Sequence, residues 1–255
     1  METGDQSQRY WQYEYDVAAQ YMIPLLEQWD VHIPGGSIID VGCGEGGGVC
    51  AMHDRGMRCA AFDVEEPRVA LARRLQGERA IRWAVGDLYA QKLPFSDEHF
   101  DLVVLHDVFE HLEQKQAVLE KLKRYANPTG RLMITFPPYF SAYGAHQQLL
   151  NAYWAKLPFF HLLPFTLTKI LPRLKNESPR IVEEVLKLAH LKMGMHKFEE
   201  IAAQGGLTIV GKQAYLISPN HIRFGLKPIP AGPVAEIPLL GEIVCTGVVY
   251  LLGKR

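Results

Sequence analysis

The chain has 255 residues, 48% hydrophobic and 22% charged, with a formal net charge of −1, enough apolar sequence to bury a substantial core in one α/β domain. Its four cysteines, Cys43, Cys50, Cys59 and Cys245, form no C-x-x-C pair and follow no secreted spacing, which argues against a disulfide scaffold and for reduced thiols in a cytoplasmic chain. The polar start, Met1 to Tyr10, has no apolar signal region, and no apolar run approaches the ~20 residues of a membrane span, so neither a signal peptide nor a transmembrane helix is expected.

The first predicted element is helical. Val17, Ala18, Tyr21, Met22, Leu25, Leu26 and Trp29 share one face, and core packing accounts for them. They are preceded by the aromatic cluster Tyr10-Trp11-Gln12-Tyr13-Glu14-Tyr15, in which Tyr13 is a candidate for contact with a ligand. Residues 1–36 are expected to form a helical cap.

Next comes Ile38-Ile39-Asp40-Val41-Gly42-Cys43-Gly44-Glu45-Gly46-Gly47-Gly48. A buried strand that ends in a carboxylate and turns through residues lacking Cβ brings backbone close to a small molecule. Two fingerprints fit it. Gly42, Gly44 and Gly47 satisfy G-x-G-x-x-G, the dinucleotide pattern, whereas Asp40, Gly42, Gly44 and Gly46 satisfy D-x-G-x-G. Tight strand–helix packing would use the same glycines.

A second strand, Arg58 to Asp63, ends in an acid 23 residues after Asp40, where a carboxylate can accept the hydroxyls of a ribose. A third, Ile81 to Asp87, ends in another acid 24 residues further on. A dinucleotide site has no general need for an acid there. An adenine lying across the strand ends needs an acceptor for its exocyclic amine, and Asp87 would supply it.

The motifs Gly86-Asp87-Leu88, Leu93-Pro94-Phe95, Phe100-Asp101-Leu102-Val103-Val104 and His106-Asp107-Val108-Phe109-Glu110-His111-Leu112 follow in order. Together with D-x-G-x-G they resemble the class I S-adenosylmethionine-dependent methyltransferases of the ubiquinone/menaquinone-biosynthesis type, over about residues 38 to 135. The resemblance implies S-adenosylmethionine as cofactor and S-adenosylhomocysteine as product. It places Asp40, Gly42, Cys43, Gly44 and Gly46 in the cofactor loop, Asp63 and Val64 at the ribose, Asp87 and Leu88 at the adenine, and His106 on the rim.

Strand-like runs at 37–41, 58–63, 81–86, 101–106 and 131–136 alternate with helical stretches such as 66–76 and 112–125. This predicts βαβ units in a doubly wound, mostly parallel Rossmann-like sheet with its ligand beyond the strand carboxyl ends. A helix from Met195 closed by Gly205-Gly206, a strand Leu207 to Tyr215, a proline-rich excursion and a strand Ile243 to Leu252 predict a C-terminal antiparallel hairpin, seven strands in all. The expected organisation is one domain, 1–255, with a cofactor-binding core at 37–136, a helical lid insertion at 137–195, and a helix and hairpin at 196–255.

The insertion is set apart by charge. Residues 1–120 carry 10 Lys and Arg against 21 Asp and Glu, whereas residues 121–176 carry eight Lys and Arg and no acid. Within it Leu149, Leu150, Tyr153, Trp154 and Leu157 recur at helical spacing, which predicts a lid with Tyr139 and Trp154 facing an apolar, aromatic-walled acceptor pocket. Aromatic residues beside basic ones also suit peripheral contact with an anionic membrane.

Phe136-Pro137-Pro138-Tyr139 resembles the N-P-P-Y signature of amine-methylating enzymes that act on nucleic acid and glutamine. Here it follows the fifth predicted strand and begins with Phe in place of Asn or Asp, so a nucleic-acid partner is not expected. Candidate proton acceptors are His106, at the end of the fourth strand, and His146, flanked by Gly144 at the lid entrance. No pair of histidines has a carboxylate or thiol at ligand spacing, so no metal is expected. The function expected is methyl transfer to a small apolar or aromatic acceptor by in-line displacement. A lipid or quinone acceptor at a membrane surface, an NAD-dependent oxidoreductase and a non-catalytic cofactor-binding module are the alternatives.

Overall fold

The strands form where consecutive residues are apolar, the pattern of a sheet covered on both faces. In the computed structural model, which describes residues 2–163 and 177–255, they are β1 (Ser37–Val41), β2 (Arg58–Asp63), β3 (Arg82–Val85), β4 (Phe100–His106), β5 (Ala126–Phe136), β6 (Leu207–Ile217), β7 (Ile229–Pro230) and β8 (Gly247–Lys254). They make one sheet in the order β3-β2-β1-β4-β5-β8-β6-β7. The first five strands are parallel, with Ile38 to Asp40 paired to both Cys59 to Ala61 and Leu102 to Val104. β8 lies antiparallel between β5 and β6. Seven strands were expected; the eighth is the two-residue edge strand β7, inside the proline-rich excursion.

Strand alternation sends successive residues of each strand to opposite faces, and the pairing of Val103 with Leu132 offsets the numbering by one in β5. Ile39, Val103, Leu105 and Leu132 pack with Val118 and Leu122 of α5 (Lys115–Tyr125) and with Phe198 of a later helix (α7, Met195–Gln204). Ile38, Leu102, Val104 and Met133 pack with Val49 and Met52 of α3 (Gly47–Asp54) and with the N-terminal helices. α4 (Glu66–Leu75) joins β2 to β3.

The N-terminal cap is α1 (Glu2–Val17), a π-helical stretch Ala18–Met22 and α2 (Ile23–Gln28). Pro24 has no N–H to donate, and the wider turn just before it absorbs the missing bond.

The lid departs from expectation. In place of one amphipathic helix the chain makes three 3-10 turns, Gln147–Leu149, Tyr153–Lys156 and Phe160–Leu162, then α6 (Pro179–Leu191). Leu150 (ψ 148°) and Ala152 (ψ 122°) break the expected helix, and His146 (φ 56°) and Phe159 (φ 62°) stand at positive φ on either side of it. Pro158 holds Leu157 extended at φ −69°, ψ 137°. Lys169, Arg173 and Lys175 lie outside the described residues. The expected final strand is also shorter at its start: α8 (Leu240–Val244) takes residues 243 and 244. No helix among the described residues is long and apolar enough to cross a membrane.

Candidate active site

Strand order reverses at β1, whose neighbours are β2 on one side and β4 on the other, and the crevice beyond this switch point is where a doubly wound sheet takes its ligand. A cavity of about 1090 Å³ opens there. Asp40, Gly42, Cys43, Gly44, Asp63, Val64, Asp87, Leu88, His106, Tyr13 and His146 all line it. Three of the expected residues do not.

Gly46 is the left-handed N-cap of α3 (φ 82°), packed against the Trp83 ring. Tyr139 is buried, its N–H donating to Met193 O at 2.7 Å and its ring edge-on to His161 at 5.0 Å. Trp154 lies against Phe160 at 4.7 Å on the outside of the lid. Lid packing, which the insertion's spacing could not show, removes both aromatics from the cavity.

The glycine turn is shaped by its neighbours as well as by the space above it. Gly42 has φ 79°, and a Cβ there would meet Val108 Cγ2 at 2.6 Å. Glu14 reaches the loop from α1, accepting from Gly47 N at 3.2 Å. Tyr10, Tyr13, Glu14 and Val17, at i, i+3, i+4 and i+7, therefore form the cavity's helical wall. Glu45 accepts two bonds from Arg68, at 3.2 and 3.0 Å.

The acids are held in different ways. Asp63 accepts Gly44 N at 3.0 Å and Glu65 N at 2.8 Å, which fixes the β2 turn against the glycine loop. Asp87 is exposed and accepts Tyr89 N at 2.9 Å. Asp40 is buried with its Oδ1 unpartnered, and burial, then Asp63, pushes its carboxyl up to about 7. Desolvation beside Glu45 raises Glu14 as well.

At the far end His106 Nδ1 lies 3.1 Å from Met22 Sδ and its Nε2 3.4 Å from Asn220 Oδ1. Asp107 accepts from Thr135 Oγ1 at 2.8 Å and from Asn220 Nδ2, and Tyr13 donates to Asn220 O at 3.2 Å. Asn220 sits in the proline-rich excursion, where no sequence motif marks it.

The lid closes the remaining side. His146 Nδ1 is 3.0 Å from Glu184 Oε1 of α6, and the His146 hydrogen bond holds that carboxyl below its usual range. The His146 ring lies 5.1 Å from that of His111, whose imidazole is pushed down to about 4 by burial and by His146. Glu110 stands beside them, so that one ligand atom from each of Glu110, His111 and His146 lies within 4.8 Å of the others. No metal was expected from ligand spacing, yet adjacent residues of a 3-10 turn meet here a histidine brought in by the lid, a grouping that no spacing along the chain displays. Arg180 of α6 pairs with Glu65 beyond β2, tying the lid to the opposite rim.

The sheet order, the glycine turn between β1 and α3, and the acids ending β1 and β2 define a class I methyltransferase fold. Residues 39–134 match the family model described as a methyltransferase domain. Among curated proteins, an uncharacterized methyltransferase of Mycobacterium tuberculosis is 29% identical over 123 residues, 48% of this chain and 57% of that protein. The ubiquinone biosynthesis O-methyltransferase of Pseudomonas fluorescens is 28% identical over 135 residues, 50% of this chain and 57% of that protein. The chain thus spans little more than half the length of these relatives. Magnesium protoporphyrin IX methyltransferase from Synechocystis, solved with S-adenosylhomocysteine, shares the fold with a TM-score of 0.55 and 15% identity, covering 99% of this chain and 95% of that one. Residues 39–134 thus match a methyltransferase domain and lie within a class I methyltransferase fold, the fold of S-adenosylmethionine-dependent enzymes.

Proposed function

We propose that the chain transfers the methyl group of S-adenosylmethionine to a small apolar or aromatic acceptor by in-line displacement, as a single domain with residues 37–136 binding the cofactor and 137–195 the acceptor. The observation that carries this reading is the cavity at the β1/β4 switch point. Its volume of about 1090 Å³ suits two ligands side by side, and its walls are acidic enough to favour a cation. The unpartnered Asp40 Oδ1 and the turn through Gly42 and Gly44, both at positive φ, fit the cofactor that the fold implies.

When bound, that cofactor supplies a methyl carbon already activated by its sulfonium. The chain's residues then bind and align. Asp63 faces the ribose with the lone pairs its two backbone bonds leave free, Asp87 accepts from the adenine amine, and Val64 and Leu88 flank the base. Asp40 and Glu14, whose carboxyls burial raises in the ligand-free chain, are drawn to their charged forms by the positive donor, with Cys43 and His106 closing the rim. Tyr13 covers the site from α1, while α6 and the 139–163 segment exclude water and hold the acceptor in line. For a hydroxyl acceptor His146, oriented by Glu184, takes the proton. The test is calorimetry with S-adenosylhomocysteine and with NAD, followed by product release across phenolic, amine and carbon acceptors. Binding of NAD alone, or binding of the methyl-donor product without turnover, would overturn the reading.

A second reading, a lipid or quinone acceptor taken at a membrane surface, is favoured by the apolar groups exposed on the lid. Tyr153 is 89% exposed and Leu157 59%, in a stretch free of acids. Co-sedimentation with anionic vesicles, lost on changing Tyr153 and Leu157 to Ser, would support it; no sedimentation would remove it.

A further inference from the structure

Glu110 has no part in the alignment described above. It lies in the 3-10 turn Phe109–His111, 1% exposed, and neither carboxyl oxygen has a hydrogen-bond partner. The nearest ammonium does not answer it, because Lys115 Nζ donates to the carbonyls of Phe109, Glu110 and Leu112 at 2.6, 3.3 and 2.6 Å. Unpartnered buried polar groups are rare in native folds and call for a partner outside the chain. What this carboxyl faces is a pair of imidazoles: His111 Nε2 is 3.6 Å from Glu110 Oε1, and His146 completes a group of three potential ligands within 4.8 Å.

His146 is already held as a metal-binding histidine is held. Glu184 engages its Nδ1 at 3.0 Å, fixing the ring and leaving Nε2 for a ligand. We propose that Glu110, His111 and His146 bind one first-row divalent cation, of the zinc or manganese type, with Glu184 positioning His146. Two imidazoles and one carboxylate suit such an ion better than magnesium or calcium, which prefer oxygen throughout. Three protein ligands leave at least one position open. Since His111 and His146 line the cavity, that position faces its interior. With an ion present His146 is a ligand in place of a proton acceptor. Ion binding is read without any methyl transfer, so the two readings fail separately.

The test uses the full chain stripped with EDTA, desalted, and titrated calorimetrically with zinc chloride and, separately, manganese chloride. One ion per chain is expected. Glu110→Gln and His146→Ala should each weaken binding by at least about tenfold, the low end of what even outer residues of metal sites contribute. Glu110→Gln keeps the side-chain size and removes only an unpartnered carboxyl, so it should melt cooperatively at or above the wild-type temperature, separating lost binding from lost folding. The cobalt-loaded chain should show visible ligand-field bands that both variants lack. Absence of saturable uptake by the wild type, or unchanged affinity in both variants, would overturn the assignment.

Discussion

Asp40 makes the stability of this domain fall as pH rises. Its carboxyl is buried at the end of β1 with one oxygen unpartnered, and desolvation, then the neighbouring Asp63, lifts it from 3.8 to about 7. Folding therefore favours the protonated form. The contribution is complete below the unfolded value and is lost as pH rises through the folded one. Across pH 5 to 7 this amounts to roughly 3 kcal/mol, at ~1.4 kcal/mol per pH unit, or about 6–12 °C of melting temperature for a domain of this size. Glu14 is raised in the same direction and adds to the wild-type slope, so the informative quantity is the difference between wild type and Asp40→Asn. Asparagine stays neutral throughout. The variant's melting temperature should match the wild type below about pH 4, exceed it increasingly up to about pH 7 and hold a constant lead above that, in scanning fluorimetry without ligand. If the two curves instead fell in parallel, Asp40 would be solvated or paired in solution and the electrostatic argument for the β1 end would fail.

Asp63 and Asp87 should separate structure from binding. Asp63→Ala strips the acceptor from Gly44 N and Glu65 N, at ~1–3 kcal/mol per orphaned group, and should lower both melting temperature and affinity for S-adenosylhomocysteine. Exposed Asp87→Ala should lower affinity with little change in melting temperature; calorimetry showing full affinity in either variant would remove that residue from the site. Gly42→Ala should destabilise the fold even without ligand, because its φ of 79° and the 2.6 Å approach to Val108 leave no room for a methyl group, and an unchanged melt would refute that packing.

What the sequence determined by itself was the cofactor half of the fold. β1 and β2 begin and end at the predicted residues, because a parallel strand buried on both faces is written as a short apolar run closed by a turn residue. Asp40, Asp63, Asp87 and His106 converge on one cavity because all four lie at or just beyond the carboxyl ends of parallel strands, and strand ends of one direction share a rim. The opposite wall was decided by tertiary structure alone. Glu14 reaches the glycine loop across 33 residues, Asn220 reaches Asp107 across 113, and Glu184 reaches His146 across 38. Such pairs leave no local periodicity to read. The lid shows the same limit from the other side: Tyr139 and Trp154 carried the composition of a pocket wall, yet Tyr139 is buried against Met193 and His161, and non-helical Leu150 and Ala152 break the helix that would have aimed Trp154 inward. The Glu110, His111 and His146 group likewise exists only because a 3-10 turn and the lid are packed together over the sheet.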